Sequence, residues 1–322
     1  MTDSLLTEKQ ATVRPPVPGP GLLRRIADSD LFYSFRRSKL TMVAAALAVL
    51  LFAVAIFAPL LAVQNPFDPA QLELLNSRIP PLWSSEGQAP FLLGTDEQGR
   101  DVLSAILYGL RISLTVGVLG VLFAGALGIG LGLIAGYFGG AVDSLIMRVA
   151  DVQLTFPAIL IALLIDGVAK SLLGNHLDAM QTLAILVVAI GLSFWVQYAR
   201  TVRGCVMVEK NKDYVAAARL IGLPARVIML RHVLPNTTGP TLVIATINLA
   251  LAIITEATLS FLGSGMPDTM PSLGTLIRIG NNYLFSGEWW IVAFPGLTLA
   301  TLILAINLVG DWLRDALNPK LR

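Results

Sequence analysis

Long stretches without a charged side chain constrain this chain more than any other feature. The longest covers residues 112–142, and only 14% of all residues are charged, whereas soluble domains carry about a quarter. About 20 apolar residues cross a bilayer as a helix. The chain therefore predicts an all-α integral membrane protein with six transmembrane helices. These helices are expected within residues 40–63, 112–142, 146–165, 179–199, 237–263 and 289–310.

Lysine and arginine residues predict the orientation of these helices. If the N-terminus is cytoplasmic, the two segments richest in Lys and Arg, before the first span and between the fourth and fifth, are cytoplasmic as well. Only five of the 23 basic residues then lie on the outer side: Arg78, Arg100, Arg111, Lys170 and Arg278. Because basic residues favour the inside, we expect a multi-pass protein of the plasma membrane with both termini cytoplasmic.

The spans divide the chain into five predicted regions. Residues 1–38 form a cytoplasmic tail whose basic end suits a helix lying on the membrane surface, and residues 39–63 form the first transmembrane helix. Residues 64–106 form a periplasmic segment, and residues 107–311 form the transmembrane core. Residues 312–322 form a cytoplasmic C-terminal tail.

The core contains one charged segment that is interrupted by a glycine and two prolines, DYVAAARLIGLPARVIMLRHVLPN at 213–236. Asn211 is placed to cap a helix over 212–221, and Gly222 stands where a C-terminal helix glycine belongs. Pro224 forbids continuation of that helix. A second helix is predicted from Pro224 to residue 233, ending before Pro235. The pattern indicates two short helices joined by a tight turn outside the lipid.

Three interpretations of this segment compete. A DNA-reading helix-turn-helix has a similar length and a glycine turn, but both helices here are tethered close to a membrane, so no nucleic-acid partner is expected. An ordinary loop folded back on the bundle is the second interpretation. The third is a docking element for a soluble protein, in which the small side chains at 216–218 permit close approach and Arg219 and Arg226 offer charge at the rim.

The run AAxxxG, formed by Ala217, Ala218 and Gly222, followed by LP at 234–235, resembles the EAA motif of permease subunits in ATP-binding-cassette (ABC) importers. In that family the segment forms the coupling helices, which sit in a cleft of the ATPase subunit. The resemblance implies coupling helices at 211–235. Alanine occupies position 216, where the motif has glutamate. The implied ATPase-coupling residues are Asp213, Tyr214, Ala216, Ala217, Ala218, Arg219, Gly222, Pro224, Arg226 and Pro235.

A second stretch, LLGTDEQGRDVLSAILYGLRISLTVG at 92–117, resembles the C-type subunits of dipeptide and oligopeptide permeases. Within it, Asp101 is placed to cap a helix with Val102, Ile106 and Leu110 on one face. With further matching stretches, the resemblance covers nearly everything after residue 30 except residues 65–90. It implies a type I ABC importer permease fold in a bacterial inner membrane.

The same resemblance implies the partners. They are a second permease subunit of the B type, two ABC ATPase subunits, an extracytoplasmic substrate-binding protein and a peptide substrate. ATP and Mg²⁺ would be held by the ATPase subunits, and no cofactor by this chain. The same architecture could instead serve nickel chelates, glutathione, opines or antimicrobial peptides.

The sequence shows no catalytic apparatus of its own. It lacks GxxxxGK[ST], the phosphate-binding loop of ATPases, and its single cysteine excludes a CxxC site. The run GIGLGLIA at 128–135 matches a dinucleotide fingerprint, but it lies within a predicted span and follows no strand. We therefore expect a non-catalytic subunit. A secondary transporter would show inverted repeats, and a membrane-embedded hydrolase would show a nucleophile–base pair, and neither is visible.

Polar side chains and glycines within the spans are the remaining candidates for function. Glu256, Asn248 and Asn307 either line a translocation path or form hydrogen bonds between helices. Arg148 and Asp151 are expected to form an ion pair at one end of the third span. The third set recurs at every fourth position and shares one helical face, which serves either a moving seam or static packing. Its members are Gly128, Gly132, Gly136 and Gly140.

Overall fold

The computed structural model describes residues 30–174 and 177–317, and within these residues the chain contains helices but no strand. Most of the predicted tail at 1–38 and the end of the tail at 312–322 lie outside the described residues. The helices are α1 Asp30–Arg37, α2 Lys39–Ile56, α3 Ala58–Leu61, α4 Val102–Phe138, α5 Gly140–Leu154, α6 Ala158–Leu173, α7 Ala179–Glu209, α8 Asp213–Leu220, α9 Ala225–Val227, α10 Thr238–Phe261, α11 Leu273–Asn281 and α12 Trp290–Leu317.

Five helical segments are long and apolar enough to cross a membrane singly: α2, α4, α7, α12 and the continuous run Ala225–Phe261 that contains α10. The sixth crossing is the pair α5 and α6, which meet at an angle of 94°. The prediction of six spans is confirmed, but the third is not one straight helix. Pro157 stands between α5 and α6 and has no N–H to extend a helix across this break.

The helices α4 and α7 are longer than the predicted spans. Asp101 caps α4 as predicted, and its carboxylate accepts hydrogen bonds from the Ser104 amide (2.8 Å) and hydroxyl (2.6 Å). The 37 residues of α4 extend about 55 Å. The helix α7 begins at a capping box of Asp178 and Gln181 and ends at Glu209. Both helices therefore exceed the roughly 30 Å hydrocarbon layer.

The axes of α4 and α7 run in the same direction. A Cβ added at Gly120 would meet Ile190, and one added at Gly136 would meet Val206, so residue numbers rise together along the contact. A parallel pair requires the intervening chain to return across the membrane. The bent pair α5–α6 leads the chain back from the end of α4 to the start of α7. The pair therefore acts as one crossing although its helix is broken.

The segment between α3 and α4 packs onto the end of the bundle where α4 begins. The Trp290 indole N–H donates to the Thr95 carbonyl (3.1 Å). Buried Arg100 pairs with Asp96 (2.6 Å) and donates to the Asp268 carbonyl (2.9 Å). This segment and the chain between α10 and α11 thus form one ordered cap at this end of the bundle.

Candidate functional site

The helix α8 ends in the turn that the sequence predicted. Gly222 has a φ of +82°. Its N–H donates to the Arg219 carbonyl (3.0 Å), and the Leu223 N–H donates to the Ala218 carbonyl (3.1 Å). These two bonds define a Schellman motif, in which a left-handed residue satisfies the last carbonyls of a helix. Pro224 follows and prevents the helix from continuing.

The start of α8 and the helix after the turn differ from the prediction. Lys212, not Asn211, precedes the helix, and the Asn211 side-chain amide donates back to the Met207 carbonyl (3.0 Å). After α9, the chain continues through a π-helical turn, Ile228–Val233, into a 3₁₀ turn, Leu234–Thr237, and then into α10. The predicted end before Pro235 is therefore wrong.

Pro235 is accommodated because it lies in the first turn of the 3₁₀ segment, where an N–H is not needed for an internal bond. Of the two short helices predicted for this segment, only α8 is a separate helix; the second is the beginning of the fifth span. Pro295 lies inside α12, which continues on both sides of it.

One face of α8 packs on the bundle and the other is open. Val215 and Ala218 are buried, the latter against the prediction that all three alanines form the open surface. Ala216 and Ala217 are exposed. At the tip, Leu220 is 89% exposed and Ile221 is 78% exposed. Two exposed apolar side chains beside a tight turn are typical of a contact surface, because covering them with a partner removes apolar area from water.

The buried face of α8 is held by the ends of α4 and α7. The Arg219 guanidinium lies over the Tyr137 ring, 5.4 Å from its centroid. The Lys210 ammonium donates to the Gly136 carbonyl (2.7 Å), where it caps the negative end of the α4 dipole. The first contact ties α8 to the end of α4, and the second ties the end of α7, which α8 follows, to the same end of α4. Neither the Lys210 contact nor the Tyr137 contact could be predicted from the sequence alone, because both join residues far apart in the chain.

Tyr214 connects α8 to the neighbouring helices, and we name this arrangement the tyrosine network. Its hydroxyl donates to the Glu209 carboxylate (2.6 Å) at the end of α7 and accepts from the Asn236 amide (3.0 Å) before α10. Asn236 also donates to the His232 carbonyl (2.8 Å) in the π-helical turn. Desolvation and the bond to Glu209 raise the pKa of Tyr214.

Two ion pairs join α5 to α7 near the same end of the bundle. Asp151 pairs with Arg200, and Asp143 pairs with Arg203. The predicted pair between Arg148 and Asp151 is therefore wrong, because the α7 arginine lies closer to Asp151. Arg148 is exposed and has no ion-pair partner within residues 30–174 and 177–317.

The glycine face of α4 forms a close contact with α7 at three of its four predicted positions. A Cβ at Gly132 would lie 2.5 Å from the Ala199 carbonyl oxygen, and one at Gly128 would lie 2.5 Å from the Tyr198 Cβ. Gly136 is similarly tight against Val206. Gly140 is not part of this contact, because α4 ends at Phe138 and a Cβ at Gly140 would meet nothing within 4 Å.

The three polar residues of the spans have three different environments. Glu256 is fully buried and accepts hydrogen bonds from Ser113 (2.8 Å) and Ser260 (2.7 Å), which favours the role between helices over the path. Asn248 is also fully buried, and its side-chain amide has no hydrogen-bond partner within residues 30–174 and 177–317. Asn307 is exposed on α12 and is the one of the three open to a path or to a neighbouring subunit.

Glu256 also organises the cap through its two serines. The Ser113 hydroxyl oxygen accepts the Leu273 N–H (3.2 Å), and the Ser260 hydroxyl oxygen accepts the Met266 N–H (3.2 Å). Because both hydroxyl protons are directed at the carboxylate, both oxygens are free to accept N–H groups from Met266, between α10 and α11, and from Leu273, at the start of α11. The sequence could not reveal this arrangement, because Ser113 and Glu256 are far apart in the chain.

We expect Glu256→Ala to destabilise the protein by about 1–3 kcal/mol, because two buried hydroxyls lose their acceptor. Thermal unfolding of the purified protein in detergent measures the change. Ser113→Ala is expected to cause a similar loss, and the double variant is expected to be less than additive. A Glu256→Ala protein of unchanged stability with reduced uptake would contradict this and would place Glu256 in the path.

The described residues hold no cluster of three His, Cys, Asp or Glu side chains that could bind a metal. The fold is similar to that of a solved methionine ABC transporter, MetNI, in inward-facing conformations. The TM-score is 0.52 at 18% identity, with 66% of this chain and 96% of that chain covered. The helical bundle thus shares its fold with a chain of that transporter.

Sequence comparison then identifies the family. The chain belongs to the binding-protein-dependent transport system inner membrane components, whose family model matches residues 128–322. Residues 29–81 match the N-terminal transmembrane domain of oligopeptide transport permease C. This membership decides against the secondary transporter.

Curated relatives match along nearly their whole length. The dipeptide transport system permease protein DppC of Escherichia coli K12 is 40% identical, with 99% of both chains covered. The di/tripeptide permease DppC of Pseudomonas aeruginosa UCBPP-PA14 is 38% identical over 95% of this chain and 97% of that protein. The Haemophilus influenzae dipeptide permease DppC is 37% identical over 91% and 95%.

Proposed function

We propose that this chain is a permease subunit of an ATP-driven importer that takes up dipeptides and other short peptides. The names of the relatives support the substrate class, since proteins 37–40% identical along the whole chain are dipeptide or di/tripeptide permeases. The observation that carries the mechanism is the helix α8, whose tip is apolar and exposed while its other face is fixed to the bundle.

In this proposal α8 is the coupling helix. Leu220 and Ile221 enter an apolar cleft of an ATPase subunit, and the exposed Ala216 and Ala217 permit close approach. Arg226, which is exposed on α9, meets the charged rim of that cleft. Ala218 contributes by packing α8 on the bundle. Because α8 is braced by α4 and α7, movement of the ATPase cleft would be transmitted to the two longest helices.

The remaining parts of the importer are separate chains. A second permease subunit of the B type completes the path, two ABC ATPase subunits hold ATP and Mg²⁺, and an extracytoplasmic binding protein delivers the peptide. Both termini and α8 lie on the cytoplasmic side of a bacterial inner membrane, as the distribution of Lys and Arg predicts. Asn307, exposed on α12, faces the path or the second permease.

Reconstitution tests the proposal. The chain is co-expressed with a B-type permease and two ABC ATPases, and the complex is placed in vesicles with external binding protein and internal ATP. Uptake of a radiolabelled dipeptide that stops when ATP is replaced by a non-hydrolysable analogue is the expected result. Uptake that persists without any ATPase subunit would refute it, and an ATP-dependent complex that ignores dipeptides would refute only the substrate.

The tyrosine network should affect coupling more than assembly. Tyr214→Phe removes the hydroxyl that joins Glu209 and Asn236, and a charge-assisted bond contributes about 1.5–3 kcal/mol. We expect dipeptides transported per ATP hydrolysed to fall about tenfold, because α8 is no longer tied to the start of α10. Uptake and ATPase rates of the same vesicles measure this. Tyr108→Phe, near the start of α4 where its ring packs against Phe67, serves as the control, and an equal loss there would contradict the assignment.

A further inference from the structure

A groove of about 330 Å³ runs between α2 and α4, away from α8. Most of its lining is apolar: Ile56 and Leu119 are exposed, whereas Ala55 and Leu114 are buried. The exceptions are Arg111 and Thr115 on α4. The other lining residues are Phe52, Ala55, Ile56, Leu114, Val118 and Leu119.

The charge of Arg111 is not compensated within the described residues. Its side chain is exposed and forms no hydrogen bond or ion pair within residues 30–174 and 177–317. The Thr115 hydroxyl already donates its proton to the Arg111 carbonyl (2.7 Å), so it is not a free donor for a ligand. The groove thus offers one free guanidinium at the edge of an apolar surface.

The depth of Arg111 in the membrane follows from the lengths of the two helices. The 18 residues of α2 extend about 27 Å, close to the thickness of the hydrocarbon layer. The last of them, Ile56, lines the groove together with Arg111. Arg111 is thus level with the outer end of α2, and we take this level as the edge of the hydrocarbon layer, within reach of the lipid phosphates.

We propose that this groove binds an anionic phospholipid, with its phosphate on Arg111 and an acyl chain along the apolar residues between α2 and α4. An arginine fork matches phosphate geometry and binds it through paired hydrogen bonds. A free phosphate ion would leave the adjoining apolar surface uncovered, whereas a lipid covers both parts. The site is independent of α8 and of the identity of the transported substrate.

Photocrosslinking in bilayers tests what occupies the groove. The complex, with p-benzoylphenylalanine in place of Thr115, is reconstituted in nanodiscs of phosphatidylglycerol and phosphatidylcholine, and the crosslinked species is identified by mass spectrometry. We expect phosphatidylglycerol to be enriched over its share of the bilayer. Arg111→Gln should lower that enrichment about fivefold, as expected for one basic residue near an anionic surface, whereas Arg111→Lys should retain most of it.

Arg148→Gln is the matched control, because Arg148 is also exposed and unpaired within the described residues but does not line the groove. It should leave the crosslinked lipid unchanged. An equal loss in both variants, or no loss with Arg111→Gln, would overturn the proposal. A crosslink to another permease chain instead of lipid would also overturn it, since the groove would then be a subunit interface.

Discussion

Replacing Gly222 by valine is expected to abolish coupled uptake while leaving membrane insertion intact. Gly222 has a φ of +82°, and a Cβ added there would meet nothing within 4 Å. The cost is therefore backbone strain alone, about 1–2 kcal/mol for an L-residue in a left-handed conformation, and more for a β-branched one. Relief of this strain requires the turn to open, which moves Leu220 and Ile221 away from their present positions.

In reconstituted vesicles, the Gly222→Val complex is expected to hydrolyse ATP without taking up dipeptide. Gly222→Asn is a graded control, because asparagine tolerates positive φ and should retain most uptake. Gly204→Val is the second control, since a Cβ there also meets open space but no positive φ is required. If Gly222→Val transports normally, or if Gly204→Val fails equally, the turn is not the joint between α8 and its partner.

The turn at Gly222 could be predicted because its causes are local. A glycine after a helix and a proline two residues later are sufficient to define it, and the structure has both in those roles. The Asp101 cap and the six crossings were predictable for the same reason, since capping residues and uncharged stretches are read directly from neighbouring residues. These features could therefore be predicted from residues that are close together in the sequence.

The features that the sequence did not reveal depend on contacts between distant residues. Asp151 is adjacent in the helix to Arg148, yet it pairs with Arg200 because α7 packs beside α5. Asn211 has the residue type of a cap, but its amide is occupied by the Met207 carbonyl. The burial of Glu256 likewise arises from its packing against α4 and against the chain between α10 and α11. In each case tertiary packing overrode a local preference.

The glycine face of α4 combines both kinds of information, and it permits the prediction with the largest effect on stability. The repeat identified a close-packed face, while the structure shows that α7 lies against it and that Gly140 does not belong to it. Gly132 has the Ala199 backbone on the other side. A Cβ would lie 2.5 Å from the Ala199 oxygen and 3.0 Å from its Cα, so no side-chain rotation relieves the clash.

We expect Gly132→Val to destabilise the bundle by about 3 kcal/mol or more, at or above the upper end for inserting bulk into a packed core. The two helix backbones must separate along the contact, and helix packing in lipid depends on such close approach. Size-exclusion chromatography and thermal unfolding in detergent measure the loss of folded protein. Gly130→Val is the matched control, because it adds the same side chain to the same helix where nothing lies within 4 Å. Equal stability of the two variants would show that α4 and α7 do not hold this contact in the membrane.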